Sequence, residues 1–312
     1  MADSTTDEWF RTALQKLTET DFDVLRRADP NVLRVEVPLG DGPVSPEEFR
    51  HHLALATELW GPVSLFGGEH GVFALWRGDR VFRLLKVHVH GAMSARIVDA
   101  RAWGASVSNT FDKGALGVAN APYTWLGGGY EQRRDFPGEW FTATTESWDQ
   151  VAEGFGATLH DIYLGMRYFG VGDNAVYDEP DTLRISLAPH GCTHWDDPRI
   201  VQIEQRIDGI SVYLDGATID RSWLAGHGFV PMVGGQWRWV RPLPPERGAH
   251  AARLAVELAR EFGFRSPGDA CFRAGRPGSP FGEFSVHGVG VTEGSIASFH
   301  HHDDDDEFDE GE

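Results

Sequence analysis

At 312 residues the chain is long enough for two domains of about 150 residues each, and 41% hydrophobic with 12% aromatic residues can build real cores, which excludes wholesale disorder. The formal net charge is −19. Eight acids and no base fall within residues 303–312 and the remainder is still acidic, a surface that excludes nucleic acid and anionic lipid as partners and leaves basic proteins.

The opening residues, Met1-Ala2-Asp3-Ser4-Thr5-Thr6-Asp7-Glu8, are acidic and polar, the reverse of a secretory leader. No run of about 18 apolar residues occurs, so no membrane span is expected. Trp9, Ala13 and Leu17 recur every four residues, with Phe10 and Leu14 on an adjoining stripe, and predict a first helix. Ser45-Pro46-Glu47-Glu48 predicts a second, with serine as cap and proline in the first turn. Phe49, Leu53, Ala56 and Trp60 line one face of it, and Gly61-Pro62 stops it. Strands at Val72–Trp76 and Val81–Val87 flank a glycine-containing turn at 77–80, with a shorter strand at Ala95–Asp99.

Gly127-Gly128-Gly129 and the charged stretch to Pro137-Gly138 read as a linker. Ser147-Trp148-Asp149-Gln150 then predicts another helix start, followed by Trp148, Val151, Ala152, Phe155, Leu159 and Ile162 at helical spacing. Gly154 and Gly156 weaken that helix by about 1 kcal/mol each relative to alanine, a cost that a closely packed neighbour would offset. Leu183, Ile185 and Leu187 alternate as a strand. Asp208-Gly209 lies between the alternating runs Val201, Ile203, Ile207 and Ile210, Val212, Leu214, the pattern of a type I′ hairpin with positive φ at both turn residues. A short helix is expected at Ile219–Ala225, and then a strand with Trp237 and Trp239 on one face. The last helix opens at Pro244-Pro245-Glu246 and buries Ala251, Leu254, Ala255, Leu258 and Phe262. Gly263 stands at its left-handed cap position. Beyond Arg273 one apolar stretch, Phe284–Val291, precedes a tail from about residue 300 that is read as disordered.

The stretch Leu224 to Pro231, then Trp237-Arg238-Trp239, then the helix to Phe262-Gly263-Phe264 and Arg265-Ser266-Pro267, resembles actinobacterial Tir-chaperone-like (YbjN-like) domains, which are related to type III secretion chaperones. Arg199-Ile200-Val201-Gln202-Ile203 resembles that family's Val-Gln-Phe strand, and the helix at Trp148 its opening helix. The resemblance covers about 147–273. Phe229 stands where the family has tryptophan, and the Cys192 loop is an insertion. It implies a fold that binds extended segments of partner proteins, often as a homodimer, and it implies no catalytic residues.

Chemistry-bearing clusters are few. His190-Gly191-Cys192-Thr193-His194, with Asp196 and Asp197, offers zinc-ligand types, but the spacing fits neither Cys-x-x-Cys nor His-x-x-x-His. His88 and His90 are two apart on a strand and would share a face, without an evident third ligand. His300, His301 and His302 lead into the acidic tail. No phosphate-cradling loop, dinucleotide fingerprint or nucleophile elbow occurs. Cys192 and Cys271 are the only cysteines, too few for a disulfide framework, and a reducing cytoplasm is the simpler setting.

These readings predict an α+β protein of two small domains, each an antiparallel sheet packed with helices. The division is 1–126, a linker 127–146, a chaperone-like domain 147–273, and an extension with an acidic tail, 274–312. The expected function is non-enzymatic binding of a protein partner, basic in character, by a secretion-associated chaperone or adaptor or an immunity-type protein, with no cofactor or metal. Trp237 and Trp239 are the candidate partner-binding residues, since aromatic side chains concentrate in buried interfaces. The alternative is a metal-dependent or cysteine hydrolase centred on His190, Cys192 and His194.

Overall fold

Helix starts fall where short polar side chains cap them. The computed structural model describes residues 4–29, 32, 34–68, 70–78, 80–99, 124–127, 145, 147–170, 182–192, 197–215, 219–242, 246–275, 284–287 and 291–293. In helix α1 (Ser4–Thr18), Phe10, Leu14 and Leu17 turn inward. Trp9 is 50% exposed, so the stripe through Phe10 is the buried one. Asp21 caps a short helix α2 (Phe22–Ala28) that sequence periodicity did not suggest. In α3 (Pro46–Trp60) the Ser45 hydroxyl accepts the Glu48 amide hydrogen at 3.1 Å, and Gly61 ends the helix with φ 85°.

Strands β1 (Arg34–Pro43), β2 (Leu65–Gly68), β3 (Gly71–Arg77), β4 (Val81–His88), β5 (Ala92–Asp99) and β6 (Thr124–Gly127) form the first sheet in the order β1-β5-β4-β3-β2-β6. A late strand, β13 (Phe284–His287), returns from the far end of the chain and pairs antiparallel with β6 as its edge. The second sheet holds β7 (Thr182–Pro189), β8 (Val201–Arg206), β9 (Gly209–Asp215), β10 (Val230–Pro231), β11 (Gln236–Pro242), β12 (Ala270–Gly275) and β14 (Thr292–Glu293), in the order β10-β11-β9-β8-β7-β12-β14. Its pairings are antiparallel except that of β12 with β14. The chain is therefore an α+β protein with two antiparallel sheets packed with helices.

Helix α4 (Trp148–Phe169) lies between them. Ser147 caps it through the Gln150 amide, and 15 of its 22 residues are buried, which requires packing on more than one side. Its Asp161, 0% exposed, accepts the Gly71 amide hydrogen of β3 on its carboxyl oxygens at 3.1 and 3.0 Å. From the second sheet, the Gln205 side-chain amide donates to the Leu159 carbonyl at 2.8 Å. Tyr168 donates to the Val44 carbonyl at 3.1 Å. One continuous apolar core runs from Phe10 through α4 to Phe272. The expected linker falls between β6 and α4, and residues 128–144 of it lie outside the described residues.

Short helix α5 (Arg221–Gly226) is capped by Asp220. Helix α6 (Glu246–Glu261) crosses α4 at small residues. A Cβ on Gly156 would meet the Ala249 Cα at 2.9 Å, and one on Gly248 would meet the Leu159 Cβ at 3.2 Å. The close approach supplies the compensation that a glycine in mid-helix needs. Gly263 takes φ 87° and donates to the Arg260 carbonyl, while Phe264 donates to that of Ala259, a Schellman close.

The β8–β9 hairpin corrects one expectation. Gln205 pairs with Ile210, so the two-residue loop is Ile207-Asp208, and Gly209 is the first residue of β9. Neither loop residue has positive φ, and neither does Gly209, so the turn is not type I′. Gly209 also pairs with Pro242 of β11, and that second partner draws it into the strand.

Candidate functional site

Alternation along the strands of the second sheet sorts its two faces. Ile185, Ile203, Val212 and Trp239 form one cross-strand row, buried on the helix side. One residue along, Arg273, Ser186, Gln202, Tyr213 and Arg238 form a row on the opposite, outer face. Arg184, Glu204, Ser211 and Val240 form the next row beside it.

The outer rows are tied by charge. Glu204, 7% exposed, lies 3.2 Å from Arg184 and 3.1 Å from Arg206. Arg238 lies over the Tyr213 ring at 5.1 Å and donates to the Ser211 hydroxyl at 3.1 Å. A cleft of about 550 Å³ opens here, lined among others by Arg184, Asp197, Glu204, Tyr213, Asp215 and Gln236. At its rim Arg199 donates to both Asp197 carboxyl oxygens, at 3.0 and 2.8 Å, and this holds the Asp197 carboxyl below the usual carboxylate range. Arg184 Nε, Ser186 Oγ and Arg238 Nε are buried on this face without a hydrogen-bond partner among the described residues. Such donors cost stability unless something satisfies them.

Beside the polar rows the β10–β11 end of the same face is apolar. Val230 is 56% exposed, Val233 100%, and Met232 and Val240 are also exposed. The Met232 amide donates to the Gln236 carbonyl at 2.7 Å, which closes this hairpin, and β11 joins it to the sheet through β9.

Trp237 and Trp239 lie on the other side. Trp239 is 1% exposed and stacks on His250 of α6 at 5.3 Å, while Trp237 is half-buried against the core. Sequence reasoning missed Arg184, Ser186, Glu204, Tyr213 and Arg238. The signal was present, because the alternation that puts both tryptophans inward turns Gln236, Arg238 and Val240 outward.

Of the hydrolase candidates, His190 is exposed on the turn after β7 and Cys192 is half-buried, while His194 and Asp196 lie outside the described residues. His88 and His90 do come together, with rings stacked at 5.3 Å. However, His88 Nε2 already meets Ser94 Oγ at 3.1 Å, the Arg96 guanidinium at 3.3 Å and Glu36 at 3.4 Å. Burial, then Arg96 and Lys86, lower the His88 pKa, which favours the neutral ring. No group of three potential metal ligands gathers among the described residues. Nor, among them, is any helix long and apolar enough to cross a membrane. His300, His301, His302 and the acidic tail lie outside the described residues. Compared with known family models, curated proteins and solved structures, the chain matches none.

Proposed function

We propose that this chain is a non-enzymatic protein-binding protein of chaperone or adaptor type, acting in the cytoplasm, which holds an extended basic segment of a partner on the outer face of its second sheet. The observation that carries this reading is the adjacency on one face of exposed Val230, Met232 and Val240 with the polar cleft at Glu204, Tyr213 and Asp215. An apolar patch beside a polar rim is how protein interfaces are built, and a short edge strand is where an extended chain can add. The net charge of −19 favours a basic segment and speeds its encounter. The resemblance of 147–273 to secretion chaperones points the same way, and a toxin-neutralising immunity protein would use the same surface.

The test is binding of two synthetic extended peptides of about a dozen residues, alternating valine with lysine or valine with glutamate, followed by fluorescence anisotropy. The lysine peptide is expected to bind at least about tenfold more tightly than the glutamate peptide, with the difference shrinking as salt rises. Val230→Asp with Val240→Asp is expected to abolish binding while leaving the circular dichroism unchanged. Equal binding of both peptides, or binding that survives the double substitution, overturns the reading. So does a stable homodimer that the double substitution dissociates, since the face would then belong to a second copy.

A further inference from the structure

The two cysteines lie 79 positions apart in sequence, yet the fold brings them to one carbonyl oxygen. Strand β7 ends at Pro189, directly across from Ala270, and Ala188 faces Cys271. The chain then reverses through His190 and Gly191, the latter with φ 75°. The His190 amide donates to the Asp269 carbonyl at 2.8 Å and fastens the turn to the start of β12. The Cys192 amide donates to the Pro189 carbonyl at 3.0 Å, and the Cys271 thiol donates to that same oxygen at 3.4 Å. Both residues pack in one small apolar cluster with Ala188 and Ile200. A disulfide spans only about 4.4–6.8 Å between Cα atoms, and a turn anchored at both ends is the kind of frame that holds two thiols within that reach.

We propose that Cys192 and Cys271 form a redox modification site, in which a low-molecular-weight disulfide such as oxidised glutathione converts the two thiols to one intramolecular disulfide. Cys192 is half-buried and Cys271 is 3% exposed, which sets the order. The Cys192 thiolate attacks one glutathione sulfur, forms the mixed disulfide and expels a glutathione thiolate. The Cys271 thiolate then attacks the Cys192 sulfur, forms the internal bond and expels the second glutathione thiolate. The two protons released by the cysteines end on the two glutathione thiolates, so two protein thiols are oxidised and one small disulfide is reduced. Burial raises the Cys271 thiol pKa, so the second step quickens as pH rises. The bond would staple the turn after β7 to β12, beside Ile200 at the margin of the cleft.

The experiment incubates the folded full-length protein with oxidised glutathione, quenches in acid, and reads intact mass, titratable thiols and linked proteolytic peptides. The expected product is a monomer lighter by two hydrogens, without titratable thiol, in which the Cys192 peptide is joined to the Cys271 peptide. A persistent glutathione adduct, disulfide-linked dimers, or two thiols that still titrate overturns the proposal. Cys271→Ser is expected to stop at the mixed disulfide on Cys192. Cys192→Ser is expected to react at least about tenfold more slowly than the wild type, because the remaining thiol is buried. Reaction of folded Cys192→Ser at the wild-type rate would show that Cys271 is attacked directly and also overturns it. The wild-type mass result stands whether or not either variant folds.

Discussion

His52 sits on α3 with only 4% of its surface exposed, its ring 4.4 Å from that of Phe10 on α1. Burial lowers its pKa below the ordinary 6.5, and His51 adds to that, while Glu48 and Asp7 oppose it. The sign follows from proton linkage. As pH falls through about 6.5 the unfolded chain takes up a proton that the folded chain resists, so stability is full above that value and is lost below it. The loss levels off once pH passes the lower folded value. His88, also lowered, contributes in the same direction, and Glu36, held low by Arg96 and Ser94, adds its own loss only in more acid solution. The urea midpoint is therefore expected to fall between about pH 7.5 and about pH 5. His52→Leu should flatten that slope measurably, and an unchanged slope would show that the ring is not buried neutral.

At the scale of the element, glycines separate what was legible in the sequence from what was not. Gly156→Val should push α6 away from α4 and cost about 1–3 kcal/mol by overpacking. Gly209→Val should cost under about 1 kcal/mol, because Gly209 lacks positive φ and its Cβ would meet only the Arg241 carbonyl at an ordinary 3.4 Å. Thermal melts of the two variants test the ranking, which inverts if the hairpin is type I′. Local signals were readable. Ser45 and Ser147 capped helices where the spacing said they would, and Gly263 closed one in the left-handed region. The turn at 207–208 was not, because its register answers to pairing with Ile210 and to the β11 strand beyond, neither of which is local. Strand β1 hid behind Pro38, Gly40, Gly42 and Pro43, residues that normally mark turns, and β2 behind two glycines. The outer face escaped notice because its polar residues look like an ordinary solvated surface until cross-strand neighbours are known. Only then do Ser186 and Tyr213 fall in one row with Arg238.

At the scale of the whole molecule, α4 belongs to both sheets, so each sheet's stability depends on the other. Asp161→Ala would leave the buried Gly71 amide without those acceptor oxygens and remove one tie between α4 and β3. The expected cost is about 2–3 kcal/mol, since the lost acceptor is a carboxyl group. Both halves should still melt together, and hydrogen exchange should quicken in β3 and β8 alike. Two separate transitions in the wild type would show that the shared core does not couple them. The return of β13 to β6 bears, finally, on the order of events during synthesis. The ribosome delivers the first sheet's strands up to β6 early and the strand that covers β6 only after the whole second sheet's main strands have emerged. Until then β6 lacks the strand that pairs with its outer side, which leaves that edge open to wrong pairing throughout the synthesis of the second sheet.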